Sequence, residues 1–134
     1  MTFSTTILCM DDDVDDLAFI QEAIKNHSTP FTVVEAKNGE EGIAYLSHAK
    51  AIGVLPCLII MDINMPKMDG RRAIQIIKED KEISRIPLVV FTTSSSTLDK
   101  RYFELYQVEY ITKPNQYQAF TNKVYEMLSH VTAG

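Results

Sequence analysis

No apolar run in this 134-residue chain reaches the roughly 18 residues that a membrane-spanning helix needs, so no membrane partner is expected. The opening residues, Met1 to Thr6, lack a basic segment followed by a long apolar one, so nothing reads as a secretory signal. Cysteine is scarce. Cys9 and Cys57 stand in separate apolar runs, with no Cys-x-x-Cys pair and no Cys/His cluster of zinc spacing. Buried, reduced thiols in a cytoplasmic protein are the expectation. Positive charge is in deficit. Lys plus Arg is 13 against 18 for Asp plus Glu, and a formal net charge of −5 argues against a nucleic-acid binder. Internal repeats, low-complexity tracts and linkers are also missing. At this length the chain is expected to be one domain spanning residues 1–134.

What is present is an alternation of strand-like and helix-like segments. Residues 5–10 form a short apolar run that stops at three acids. Residues 14 to about 26 have helical spacing, with Val14, Leu17, Ala18, Gln21 and Ile24 on one side. Asp13 suits the N-cap of that helix, and Asp15 and Asp16 suit its positive end. Residues 31–36 are β-branched and strand-like, and Asn38-Gly39 signals a turn. Residues 40 to about 49 read as a helix with Ile43, Leu46 and Ala49 inward, and Gly53 and Pro56 bracket the loop after it. Residues 57–61 are apolar at every position, as in a strand buried on both faces of a parallel sheet. That run ends at Asp62.

Pro66, Asp69 and Gly70 make a loop before a helix over residues 71–80. Residues 87–91 are a second wholly apolar run, ending at Thr92. Ser94 to Thr97 form a polar loop that caps a helix over about 98–106. Residues 110–112 are a short strand ending at Lys113-Pro114. The last helix, 116 to about 130, carries Phe120, Val124, Met127 and Val131 in one stripe. Five strand–helix pairs predict an α/β fold, a doubly wound five-stranded parallel sheet with helices on both faces. In such a sheet the site lies beyond the carboxyl ends of the strands.

The polar residues fall at those ends: Asp11 and Asp12, Asp62, Thr92 and Lys113. Carboxylates converging on one edge repel each other, and a hard divalent cation with oxygen ligands and open water positions, Mg²⁺, would neutralise them. Asp62 follows a buried strand and emerges at its rim, which makes its carboxylate a candidate nucleophile toward phosphorus. Phosphoryl transfer needs in-line positioning and charge neutralisation more than covalent help. Lys113 offers a compact cation for one phosphoryl oxygen, and Thr92 a hydroxyl donor for another. Pro114 holds Lys113 out of the helical region. Tyr110 and Thr112 share one face of their strand, and Ile111 takes the other.

These residues resemble the receiver domain of two-component response regulators, the CheY-like family. The stretches that carry the resemblance are Ile7-Leu8-Cys9-Met10-Asp11-Asp12-Asp13, the run from Leu58 to Gly70 around Asp62, Pro87-Leu88-Val89-Val90-Phe91-Thr92, and Tyr110-Ile111-Thr112-Lys113-Pro114. The resemblance implies strand order 2-1-3-4-5. It implies that Asp62 takes a phosphoryl group from a phosphohistidine on a sensor histidine kinase or a histidine phosphotransfer protein. Asp12, Asp62 and the backbone carbonyl of Asn64 would be direct Mg²⁺ ligands, with Asp11 reaching the metal through water. Thr92 would be the switch hydroxyl, Lys113 the phosphoryl-contacting lysine and Tyr110 the aromatic switch. Asn64 and Ser94 fall at positions that tune how fast water attacks the acyl phosphate. Thr93 is bulkier than is usual there, and Tyr106 stands where glycine is frequent. The chain is similar to small stand-alone regulators, including those paired with bacterial phytochromes.

Phosphorylation would draw Thr92 toward the phosphoryl group and open space for Tyr110. The face of helix four, strand five and helix five would then change. With nothing after Gly134 to bind DNA, a downstream protein or a second copy of the chain is expected there, with Tyr102, Tyr106, Tyr117 and Tyr125 as candidate anchors. No enzymatic activity is expected beyond the chain's own phosphorylation and dephosphorylation. An aspartate-nucleophile phosphatase would need an acid where Asn64 stands. A flavin-binding module would need a phosphate loop where Asp11-Asp12-Asp13 stands. A receiver-like interaction module that is not phosphorylated is the alternative, and the presence of Asp11, Asp12, Asp62, Thr92 and Lys113 together argues against it.

Overall fold

Side chains alternate across a strand, and along the central strands that alternation divides the core in two. Leu8, Met10, Ile59, Met61, Leu88 and Val90 pack on one side, with Leu46, Ile74, Ile77 and Phe103 from the helices. Ile7, Cys9, Leu58, Ile60, Val89 and Phe91 pack on the other, with Leu17, Ile20, Phe120 and Val124. Phe91 and Phe103 are among the largest wholly buried side chains, one on each side of the sheet. Truncating either to alanine would cost about 3–5 kcal/mol.

The computed structural model describes residues 1–131. Its main strands are β2 (Thr6–Met10), β3 (Thr32–Ala36), β5 (Leu58–Met61), β6 (Leu88–Thr92) and β7 (Glu109–Thr112). They form one sheet in the order β3-β2-β5-β6-β7, all parallel. Counted among these five alone, that is the expected 2-1-3-4-5. Helices α1 (Val14–Lys25) and α5 (Tyr117–Leu128) cover one face. Helices α2 (Gly39–Ile52), α3 (Gly70–Glu79) and α4 (Thr97–Glu104) cover the other. A short 3₁₀ turn spans Ile83–Arg85.

Register sets where the site forms. Met10 pairs with Met61 at the ends of β2 and β5, and Thr92 with Thr112 at the ends of β6 and β7, with Met61 beside Val90 joining the two pairs. Backbone bonds then pin the next residue in each case. The Asp62 amide donates to Met10 O at 2.8 Å, Asp11 to Ala36 O at 2.9 Å and Lys113 to Thr92 O at 2.6 Å.

Two caps follow the sequence: Asp13 accepts from the amides of Asp15 and Asp16, and Ser96 from Asp99. Asn38, expected as a turn, and Asp69, expected as loop, are caps too, accepting from Glu41 and from Arg71 and Arg72. Three features depart from expectation. The α1 stripe is Leu17, Ile20, Ala23 and Ile24, while Val14, Ala18 and Gln21 are exposed. Helix α2 runs on to Ile52 and ends at Gly53, whose φ of 80° supplies a left-handed cap. Beyond it, β4 (Val54–Leu55) pairs with β1 (Thr2–Phe3), a two-residue ladder too short to have a period. The loop before β7 turns left-handed at Gln107, φ 59°, one residue after Tyr106. Every peptide bond among the described residues is trans, the one before Pro114 included.

Candidate functional site

The site is built around one ammonium group. Lys113 Nζ donates to Asp11 Oδ2 at 2.6 Å, to Asp16 Oδ2 at 2.7 Å and to Asp62 Oδ2 at 3.2 Å. The lysine side chain is 3% exposed, so its charge is taken out of water by carboxylates alone. Burial works against that charge, but Asp62, Asp11 and Asp16 outweigh it and hold the ammonium above the ordinary lysine range. Nζ also lies 6.0 Å from the centroid of the Phe91 ring beneath it.

The second oxygens of the two buried acids are tied to backbone. Asp11 Oδ1 accepts from the Asp13 amide at 2.9 Å, and Asp62 Oδ1 from the Ile63 amide at 2.7 Å. Burial pushes the Asp11 carboxyl up to about 6, against the pull of Lys113. Carboxylate oxygens of Asp11, Asp12 and Asp62 all lie within 4.8 Å of one another, with Asp12 open to solvent. Hard oxygen donors at this spacing, with one side exposed to water, fit a small divalent cation that keeps part of its hydration shell. Asn64 is exposed two residues beyond Asp62.

The loop carrying Asp62 is drawn in tightly. The Gly70 amide donates to Ile63 O at 2.7 Å. A Cβ on Gly70 would sit 2.6 Å from Asp62 O and 2.9 Å from Ile63 Cα. Only glycine lets α3 start this close to the aspartate.

On the other side Thr92 is fully buried, and its Oγ1 accepts from the Ser94 amide at 3.3 Å. Tyr110 donates from its hydroxyl to Ser94 O at 2.7 Å. The Ser94 hydroxyl donates to Asp99 Oδ2 at 2.7 Å. Asp99 Oδ1 in turn receives Arg71 Nε at 3.0 Å and Nη2 at 2.6 Å. Burial opposes ionisation of Asp99, but Ser94 and Arg71 together hold its carboxyl below the usual range.

Of the residues singled out in the sequence, the structure therefore gathers Asp11, Asp12, Asp62 and Lys113 into one cluster. It puts Thr92 at the adjoining strand end and links Tyr110 to the Thr92 loop. It sends the Ser94 side chain to α4. Asp16 is the participant that the sequence did not reveal, since an acid in a first helical turn is ordinary. Cys9 and Cys57 are buried and unpaired, and burial raises both thiols. Tyr102 and Tyr106 are half-buried, and Tyr102 donates to Arg71 O, whereas Tyr117 and Tyr125 are exposed.

The model of the response regulator receiver domain family matches residues 7–125. The response regulator Rcp1 of Synechocystis sp. is 33% identical over 110 residues, which is 80% of this chain and 75% of that protein. The crystal structure of the phosphorylated cyanobacterial phytochrome response regulator RcpA aligns with a TM-score of 0.87 at 35% identity, covering 95% of this chain and 96% of that one. The Mn²⁺-bound form of Rcp1 aligns with a TM-score of 0.85 at 29% identity, covering 92% and 91%. In a Helicobacter pylori sensor histidine kinase the matching stretch is only 14% of the whole protein.

Proposed function

Because this chain belongs to the response regulator receiver domain family, a family of two-component phosphoacceptors, we propose that Asp62 is the residue that takes the phosphoryl group. The donor is a phosphohistidine on a sensor histidine kinase or a histidine phosphotransfer protein. An Asp62 carboxylate oxygen attacks phosphorus, the phosphorus–nitrogen bond breaks, and the electron pair leaves with the imidazole. The product is an acyl phosphate. Lys113 neutralises one phosphoryl oxygen, and the Thr92 hydroxyl, whose O–H is not used in the bond it accepts from the Ser94 amide, donates to another. Asp11, Asp12, Asp62 and the Asn64 carbonyl would hold a Mg²⁺ ion, which would supply charge neutralisation on the phosphoryl group. That Rcp1 has an Mn²⁺-bound form supports a divalent cation as the occupant.

The output follows from the same contacts. Thr92 Oγ1 accepts from the Ser94 amide, so a shift of the hydroxyl toward the phosphoryl group draws that loop, and α4 behind it, along. Tyr110, tied to that loop, moves with it. The face formed by α4, β7 and α5 is where a downstream protein or a second copy would read the change. The chain acts as a single receiver in the cytoplasm, and no helix among the described residues is long and apolar enough to cross a membrane.

One observation carries this reading: Asp62, Asp11 and Lys113 meet at a single buried nitrogen. Incubation with Mg²⁺ and phosphoramidate or acetyl phosphate is expected to add one phosphoryl mass, and Asp62→Asn to abolish the addition. Wild-type protein that stays unmodified while a control regulator is labelled would refute the reading and leave a receiver-like interaction module.

A further inference from the structure

Lys113 has more anchors than the proposed chemistry requires. An ammonium group has three N–H donors and no more. Asp11, Asp16 and Asp62 take one each, at 2.6, 2.7 and 3.2 Å. The longest of the three runs to Asp62. When Asp62 becomes an acyl phosphate, that is the contact to be exchanged for a phosphoryl oxygen, and the two shorter ones stay.

These two anchors differ in kind. Asp11 leaves the end of β2 and belongs to the acid cluster whose oxygens lie within 4.8 Å of one another, a cluster that does not include Asp16. A cation at the cluster draws on the Asp11 carboxylate, whereas Asp16 is left to the lysine. Asp16 stands on α1, with its amide donating to the Asp13 side chain at 3.1 Å, so its backbone is fixed. Its side chain is 21% exposed against 4% for Asp11, and it reaches the ammonium from a helix, where Asp11 reaches it from a strand end. A lysine rides on a flexible four-carbon stem. Held at Asp11 alone it can swing about that contact, but with a second anchor from another element its free N–H has one direction. Dipole stabilisation of α1 does not need Asp16, because Asp15 stands exposed in the same turn.

We propose that Asp16 is a positioning residue for phosphoryl transfer, anchoring the Lys113 ammonium from the α1 side so that its remaining N–H faces the phosphoryl group on Asp62. This rests on Asp62 being the phosphoacceptor. The test compares wild type, Asp16→Asn, Lys113→Ala and the double variant in full-length protein. Phosphoramidate labelling is expected to slow about tenfold in Asp16→Asn, whose neutral amide oxygen holds the ammonium far more weakly than a carboxylate does. In the Lys113→Ala background the same change is expected to do nothing more. An unchanged rate in Asp16→Asn, or an equal loss in both backgrounds, overturns the proposal. The Lys113 ammonium signal in ¹H–¹⁵N NMR of unphosphorylated protein gives a second readout. It is expected to be protected from exchange in wild type and lost to exchange in Asp16→Asn. A signal that persists unchanged in that variant also overturns the anchor. Wild-type protein that takes no phosphoryl group would refute the reading of Asp62, and the NMR comparison would then decide the anchor by itself.

Discussion

Tyr110 donates its phenolic hydrogen bond to the backbone carbonyl of Ser94 at 2.7 Å, which ties β7 to the loop leading from Thr92 into α4. The same serine sends its hydroxyl to Asp99, and its amide donates to Thr92 Oγ1. One residue thus links the strand-end hydroxyl, the tyrosine and α4, and through Asp99 and Arg71 it reaches α3.

Tyr110→Phe removes this bond and keeps the ring packed against Phe103. The expected loss is about 1 kcal/mol of stability in unphosphorylated protein, measured by urea unfolding without divalent cations. A loss several times larger would mean that the ring, and not the hydroxyl, carries the contact.

Arg71→Ala leaves Asp99 with Ser94 as its side-chain partner. Arg71 is about a third exposed, so solvent screens the pair, and about 1–2 kcal/mol is the expected cost near neutral pH. Asp99 is held below its ordinary range, so its contribution is present above the unfolded carboxyl pKa and is lost as pH falls through the folded one. The gap between wild type and Arg71→Ala is therefore expected to close in acid, and unfolding curves collected from neutral pH downward check this.

Asp11 has the opposite sign. Its carboxyl is raised to about 6 from an ordinary 3.8, so between those values the folded state binds more protons than the unfolded one. Metal-free protein is expected to lose on the order of 1–3 kcal/mol of stability as pH rises through that window. Protons compete with a divalent cation for the same oxygens. Mg²⁺ is therefore expected to raise the Tm more near pH 7.5 than near pH 5. Asp11→Asn is expected to stabilise metal-free protein at the higher pH and to flatten the Mg²⁺ response.

Lys113→Ala leaves Asp11, Asp16 and Asp62 facing one another without their shared cation. Breaking a buried ion cluster from one side costs about 3–5 kcal/mol. The deficit is expected in metal-free unfolding curves, with partial recovery on addition of Mg²⁺. If the variant still accepts a phosphoryl group, its conformational response, read by NMR shifts in α4 and β7, is expected to be blunted.

Gly70→Ala places a methyl 2.6 Å from Asp62 O, against backbone that cannot swing aside. The expected result is a stability loss above about 2 kcal/mol together with slower labelling of Asp62, since the strain falls on the loop holding the aspartate. Mass spectrometry of the phosphoramidate reaction measures the second effect.

How far the site could be read before the fold differs from residue to residue. Asp62 was legible because an acid directly after four buried strand residues has only one place to go. Ser94 was not, because its position two residues after Thr92 says nothing about where a loop hydroxyl points, and it points to Asp99 on α4. The true buried stripe of α1 was hidden because Val14 has the right type at the right spacing yet stands exposed in the first position of the helix.

The sequence by itself determined five parallel strands, their helices, the caps of the first and fourth, and the polar residue waiting at the end of each central strand. Those are local properties: periodicity of two or 3.6 residues, a side-chain oxygen within reach of a nearby amide, an apolar run of definite length. Only the tertiary structure decided that Asp16 and Lys113, 97 residues apart, share a hydrogen bond, and that Thr2–Phe3 pairs with Val54–Leu55. Such contacts depend on how four strands fall into register and where two helices start above them, and no stretch of chain shorter than the whole sheet contains that information.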